Sequence, residues 1–452
     1  MKYMILVPDG AADNSSEPNE RTPLEIAHMP NTSELARRGR VGLVRTIPRG
    51  VAPGSDAANL AVMGYDPATE LTGRSPLEAV SMGIELGERD VAFRTNLVTL
   101  AAGEDSEEYA ETGEAEAEGT ALTLPGFEKN YYERLTIIDH SAGDISSEEA
   151  RVLMEYIDEK LGSGDPANGG RVRFYPGVSY RHALIVRDGG ETESGIGDVF
   201  AGHKGYGLVP PHDILGRQIG LYLPDREGER YILELMRKSY PLLTEHEINK
   251  SRAGRGLRPA NSIWIWGEGT RPALSPIAQK YGVRGSVISA VDLIKGIGIC
   301  AGLEPIFVEG ATGTITTNFR GKAEAAIAEY KKGKDLAYIH VEAPDECAHQ
   351  GNMEDKIRSL ELIDEQIVAP VLAYLKDCGD DYRILIVPDH RTPVCIRTHT
   401  DEPVPYVLYD SREERYHESH DFTERSGASG GKMPSGRALA DEFFEAKGNG
   451  RQ

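Results

Sequence analysis

The sequence predicts an α/β protein: a mostly parallel sheet sandwiched by helices and interrupted by a smaller inserted α+β domain. Three observations predict it. Short apolar runs recur at 3–7, 285–288, 336–341 and 382–387, without the alternation of a strand that is wet on one face, so both faces are buried. Helical stretches at 290–301, 321–331 and 355–377 separate the later runs, the alternation that builds a parallel sheet covered on both sides. From about residue 90 to 258 the texture changes. The domains are therefore drawn as 1–89 and 259–452 for the core and 90–258 for the insertion; 452 residues exceed one ordinary domain of roughly 100–200.

The elements follow in order. The run 3–7 ends in Pro8-Asp9-Gly10, a strand with a loop at its carboxyl end. Thr22-Pro23-Leu24-Glu25 starts a helix with proline at the first helical position. Residues 31–38 form another helix, closed by Gly39. Residues 41–46 are strand-like, and Pro53-Gly54-Ser55-Asp56 is a turn from which 57–63 leave as a helix. In the insertion, 91–100 reads as a strand. The stretch 101–120 then carries eight acids, from Glu104 to Glu118, with no Lys or Arg between those two, which makes it a solvated surface segment. Strands follow at 171–175 and 182–186, then the loop 202–207. The run from Ser262 to Gly267 is a buried-type strand of the core, 304–308 is another, and 438–446 is a closing helix.

The formal net charge is −22, which argues against duplex DNA or an anionic membrane surface as partner; a small phosphorylated substrate remains open to a few convergent Arg and Lys. No run approaches the roughly 20 apolar residues of a membrane span, and the apolar N-terminal run is too short for a signal-peptide core. The four cysteines form no CxxC pair, so the cytoplasm is the expected setting.

Ligands in open α/β sheets gather beyond the carboxyl ends of the strands. Asp9 stands there after the first strand, Asp345, Cys347 and His349 after 336–341, Asp389 and His390 after 382–387, and His399 nine residues further on. Such a mixed oxygen and nitrogen set suits Mn²⁺, Zn²⁺ or Mg²⁺. Asp345 and His349 are four residues apart, so on a helix they share one face and can hold one ion. Ser55 opens a helix after a Pro-Gly turn, where free N–H groups and the helix dipole attract phosphate; read alone, it is an N-cap. No P-loop and no GxSxG elbow occurs.

Together these motifs resemble the alkaline-phosphatase superfamily, in particular the archaeal type of cofactor-independent phosphoglycerate mutase. The resemblance runs through Pro8-Asp9-Gly10, Pro53-Gly54-Ser55-Asp56, Thr72-Gly73-Arg74, Phe93-Arg94-Thr95-Asn96 and Tyr180-Arg181-His182. It continues through Gly310-Ala311-Thr312-Gly313, Pro344-Asp345-Glu346-Cys347-Ala348-His349 and Pro388-Asp389-His390. It implies an alkaline-phosphatase-like core and two divalent cations, Mn²⁺ first, with Zn²⁺, Mg²⁺ and Co²⁺ also accepted by such ligands. Asp9, Ser55, Asp389 and His390 would hold one cation, and Asp345, His349 and His399 the other. Ser55 would be the nucleophile that carries phosphate between the 3- and 2-positions of phosphoglycerate, with no 2,3-bisphosphoglycerate required, under an insertion that closes over the substrate. Arg94, Arg181 and His182 of the insertion, with Arg74 and Lys322 of the core, are the candidate substrate contacts. The resemblance extends equally to a homoserine-kinase-like branch of threonine synthesis, through 72–86 and 285–302. Both branches need the same serine and metal centre. A homoserine enzyme also needs an acid for the ammonium group, a part open to Asp213.

Overall fold

The computed structural model describes residues 1–14, 21–102, 131–166, 169–187, 208–224, 230–413 and 416–445. The acidic segment 104–118, the loop 202–207 and the last residue of the expected closing helix lie outside them. The chain divides into two compact units, 1–71 with 272–452, and 72–271.

The strands, in chain order, are β1 (Lys2–Pro8), β2 (Arg40–Val44), β3 (Val91–Ala101), β4 (Thr136–Asp139), β5 (Val172–Val178), β6 (Arg181–Val186) and β7 (Ser262–Thr270). They continue with β8 (Gly285–Ile288), β9 (Glu304–Ile306), β10 (Leu336–Val341), β11 (Tyr382–Ile386), β12 (Val404–Asp410) and β13 (Gly431–Met433). The first unit is built on an eight-stranded sheet ordered β13-β2-β12-β11-β1-β10-β8-β9. Its pairs are parallel except the two made by β12, which runs antiparallel to β11 and β2. This is the mostly parallel core that the buried apolar runs predict. β1, β10 and β11 are neighbours, so their carboxyl ends open side by side.

The helices of this unit follow their sequence signals. Thr22 and Glu25 form a reciprocal capping box at the start of Pro23–Ile26. The helix Pro30–Arg38 has no cap of its own; the buried Asp364 supplies one from across the fold, accepting from the Asn31 and Thr32 amides at 3.1 and 2.7 Å. Asp364 opens a single π-turn, Asp364–Val368, that joins Met353–Ile363 to Ala369–Asp377, where the sequence predicted one helix.

The second unit is α+β. Its antiparallel sheet centres on β3, which pairs with β4, β6 and β7, while β5 adds to β6. The helices Ser147–Leu161 and Arg230–Thr244 bury Leu153, Met154, Ile157, Met236 and Leu243 in its core. The boundaries therefore differ from those drawn at 89/90 and 258/259. β7, read as a core strand, runs beside β3 from Val98–Ser262 to Val91–Thr270, and Ile263, Trp264 and Ile265 join the apolar core of the insertion. The helix Ser75–Ser81 belongs to this unit as well.

Arg383 and Asp410 face each other across β11 and β12, both buried, with Arg383 Nε donating to Asp410 Oδ2 at 2.6 Å. Burial raises the Asp410 carboxyl, but the Arg412 and Arg383 guanidiniums outweigh it and hold the pKa at about 2. A depressed carboxylate contributes stability that is present above its unfolded value near 3.9 and lost as pH falls through about 2, here about 2.5 kcal/mol. Asp410→Asn should flatten that part of the acid limb, seen as a shallower fall of the urea midpoint between pH 5 and 2. Parallel limbs in parent and variant would refute the pairing.

Candidate active site

Three strand ends and one helix start converge in the first unit. β1 delivers Asp9. Gly10 then turns the chain at φ +59°, and a Cβ there would lie 2.4 Å from Asp345 Oδ1 and 2.6 Å from Thr392 Oγ1, so no side chain fits. β10 leads into the helix Ala343–His349, whose Asp345 and His349 share a face with Oδ2 and Nε2 3.2 Å apart. β11 leads to Asp389 and His390. His399 arrives with its Nε2 2.9 Å from His349 Nε2 and 3.5 Å from Asp345 Oδ1.

Ser55 is the first residue of the helix Ser55–Val62. Gly54 holds the N-cap position without a side-chain cap, so the Ser55 hydroxyl is not consumed as the cap it resembles in sequence. Its Oγ lies 3.1 Å from His390 Nε2. That nitrogen is also 3.5 Å from Asp9 Oδ1 and 3.5 Å from Asp389 Oδ2. Two ligand-like groups result: Asp345 with His390 and His399, and Asp9 with His340 and Asp389. His390 thus stands between the sets instead of belonging only with Asp9. All seven sequence-selected residues are brought together. Asp9, Asp389 and His390 are fully buried, while Ser55, His349 and His399 form the half-exposed side.

The electrostatics call for cations. Burial, then the charges of Asp389, Asp345 and Glu342, push Asp9 well above the usual carboxylate range. Burial likewise lifts Glu342 to about 7, with Asp345 and Glu346 adding to it. Burial opposes ionisation of Asp345 too, but hydrogen bonds from His349 and His399 and the charge of His390 carry it down, while Asp345 raises His349 to about 9. Asp9 Oδ1 and His340 Nε2 are buried without any hydrogen-bond partner. Repelling carboxylates and orphaned ligand atoms are what a divalent cation resolves, so the residues present fit one.

Four supporting residues escaped the sequence reading. Asn59, one turn after Ser55, donates to Ser55 O and to Asp389 Oδ2, both at 2.9 Å, and accepts from the Tyr338 hydroxyl at 2.6 Å. His340 lies in the interior of β10, where its run of apolar neighbours hides it. Thr392 has one hydroxyl proton, given to Asp345 Oδ1 at 2.5 Å, so it accepts from His390 Nδ1 at 3.1 Å. That fixes the tautomer: His390 keeps Nε2 free of hydrogen and aimed at Ser55. His349 is oriented the same way, with Nδ1 on the Arg397 carbonyl at 2.9 Å.

The substrate candidates separate by surroundings. Arg94 is paired with Glu78 and stacked on Trp266. His182 is buried, accepts from the Gly177 amide at 3.0 Å, and is lowered to about 3 by burial. Lys322 is buried and donates to the His340 carbonyl at 2.9 Å. Arg74, which falls in the second unit, and Arg181 are exposed. Arg181 has no carboxylate partner among the described residues. Asp213 sits in the short 3₁₀ turn Pro211–Ile214, exposed beside His212 at 3.6 Å.

This fold and site define an α/β metal-dependent enzyme. A sequence model described as 2,3-bisphosphoglycerate-independent phosphoglycerate mutase matches residues 36–249. A probable 2,3-bisphosphoglycerate-independent phosphoglycerate mutase of Geobacter sulfurreducens is 44% identical over 439 residues, 97% of this chain and 96% of that protein. The 2,3-bisphosphoglycerate-independent phosphoglycerate mutase of Methanosarcina barkeri is 42% identical over 433 residues, 95% of this chain and 96% of that one. The fold is shared with PH0037 of Pyrococcus horikoshii at TM-score 0.73 and 24% identity, covering 100% of this chain and 99% of that one. The cofactor-independent phosphoglycerate mutase of Thermoplasma acidophilum aligns at TM-score 0.61 and 23% identity, over 99% and 100%. The chain belongs to the family of 2,3-bisphosphoglycerate-independent phosphoglycerate mutases.

Because one hydroxyl at Thr392 orients ligands of both sets, Thr392→Val should weaken divalent-cation binding by about 10- to 100-fold, read by titration calorimetry. Thr392→Ser should restore it. Equal affinity in both variants would remove Thr392 from the site.

Proposed function

We propose that this chain interconverts 3-phosphoglycerate and 2-phosphoglycerate through a phosphoserine on Ser55, without 2,3-bisphosphoglycerate. The observation that carries the reading is the Ser55 hydroxyl, free of capping duty and 3.1 Å from the bare Nε2 of His390, at the rim of a buried acid and imidazole cluster. Asp9, Ser55, Asp389 and His390 would hold one divalent cation, and Asp345, His349 and His399 a second, Mn²⁺ foremost. Such cations would supply charge neutralisation for the attacking and leaving oxygens of an in-line displacement.

The chain's own groups do the rest. The helix beginning at Ser55 turns its free N–H groups and positive end toward the phosphate. The Oγ–P bond forms as the bond to the substrate's 3-oxygen breaks, and that oxygen takes a proton. The glycerate reorients, its 2-hydroxyl attacks the phosphoserine, and the proton it gives up restores Ser55. Water must stay out while the phosphoserine lives. The inserted unit is assigned the substrate cap, with Arg181 and Arg74 its carboxylate or phosphate contacts. Arg94, His182 and Lys322 serve as supports. The four free cysteines suit a cytoplasmic setting.

With Mn²⁺ and 3-phosphoglycerate, enolase-coupled absorbance should report 2-phosphoglycerate. Ser55→Ala should lower kcat more than about 1000-fold with an unchanged melting temperature. No mutase signal from the parent, alongside phosphorylation of homoserine under a suitable donor, would overturn the reading. Arg181→Ala should raise KM about 10- to 100-fold with little change in kcat. An unchanged KM would strike Arg181 from the substrate contacts.

A further inference from the structure

Lys356 lies in the helix Met353–Ile363 with its side chain fully buried. Burying an ammonium costs free energy unless an acid and a further acceptor meet it. Both are present. Lys356 Nζ donates to Asp13 Oδ2 at 2.8 Å and to the Thr392 carbonyl at 2.9 Å. Asp13 is itself buried, and the same oxygen accepts from the Val394 amide at 3.1 Å. The Thr392 amide donates to the Ala12 carbonyl at 3.1 Å, so the peptide groups on both sides of Thr392 are held. Ala12 and Asp13 follow β1, Thr392 and Val394 follow β11, and the helix of Lys356 begins four residues after His349. One ammonium thus ties together the three segments that carry Asp9, Asp389 with His390, and Asp345 with His349, without being one of the ligands. An apolar side chain of similar size could fill the same space. It could not hold the Thr392 carbonyl.

We propose that Lys356 is a positioning residue for phosphoryl transfer and acts through Thr392. Thr392 Oγ1 donates to Asp345 Oδ1 at 2.5 Å and accepts from His390 Nδ1 at 3.1 Å, contacts that tolerate little movement of its backbone. Without the ammonium, the Thr392 carbonyl loses its anchor and the buried Asp13 loses its ion-pair partner. The turn 391–394 then relaxes, and one hydroxyl no longer meets Asp345 and His390 together. Lys356 is sealed from solvent and so from substrate, and its loss is felt in cation affinity and kcat, not in KM. The inference rests on the reading of Asp345 and His390 as cation ligands of the mutase.

The test is a double-mutant cycle on the full chain. Mn²⁺ affinity is read by titration calorimetry, and turnover at saturating Mn²⁺ by the enolase-coupled assay. Lys356→Met should weaken Mn²⁺ binding about 10-fold or more and lower kcat, with KM for 3-phosphoglycerate within about twofold of the parent. In a Thr392→Val background the same change should cost less than about twofold further, because the contact it works through is already gone. Additive losses in the two backgrounds, unchanged affinity in Lys356→Met, or a loss confined to KM would overturn the role. Should Lys356→Met fail to fold, Asp13→Asn takes its place: it removes the charge that holds the ammonium beside Thr392. The same dependence on Thr392 is expected, and an additive loss or none refutes the role. A parent that binds no Mn²⁺ overturns the cation-ligand reading and this inference with it. Coupled Mn²⁺ affinities in a chain that does not turn over 3-phosphoglycerate support Lys356 and refute only the mutase.

Discussion

The repulsion among Asp9, Asp345 and Asp389 is the constraint on which the rest of this structure depends. All three carboxylates are nearly or fully buried, Asp9 and Asp389 with ligand atoms within 4.8 Å of each other, and His390 lies between them and Asp345. Taking such charges out of water costs several kcal/mol each unless something compensates. The fold meets part of that cost with neutral donors. Gly10 N and His390 N reach Asp389 Oδ1, Asn59 reaches Oδ2, and Thr392 reaches Asp345. None of these donors touches Asp9 Oδ1, so the local dipoles stop short of balance there and a cation must make up the difference. The scaffold holds the acids together before the ion arrives, which is the pre-organisation that a charge-neutralising catalyst needs.

Placement at strand ends explains how so dense a site can be rigid. β1, β10 and β11 are hydrogen-bonded neighbours, and Asp9, Asp345, Asp389 and His390 each follow within a few residues of one of them. The loops have little freedom left. Gly10 passes where no Cβ fits, and the Arg397 carbonyl, on a residue with φ +55°, orients His349. Small shifts in any one loop are resisted by contacts from the other two.

Much of this was legible in the sequence, for identifiable reasons. The parallel core shows because its strands are short apolar runs buried on both faces, and acids and histidines directly after such runs stand out. Ser55 was visible through its Pro-Gly turn. Other parts were hidden for equally physical reasons. His340 belongs to a strand interior and is masked by the apolar residues around it. Asn59 and Thr392 act through single hydrogen bonds that leave no periodic trace. β7 looks like any buried strand, and nothing local says which sheet it joins. β12 carries Pro405, a residue that argues against an interior strand; it sits before the pairing with β11 begins at Val407 and costs no ladder bond on that side. Arg181 is exposed at the first position of β6, while His182 and the four residues after it are all buried in the strand.

The position of β1 in the sheet has a consequence for how the chain acquires its structure. β1 precedes the other described strands, but both of its neighbours, β10 and β11, lie more than 300 residues later. The second unit is one continuous stretch, 72–271, and is complete before either neighbour exists. The insertion can therefore fold while β1 still lacks any partner. The core closes last, through pairings of very long sequence separation that make assembly slow. The residues that gather the cations are split by the same delay. Asp9 and Ser55 wait, without a site, until the C-terminal third of the chain brings Asp345, Asp389 and His390, so the metal centre is a late product of folding and not its nucleus.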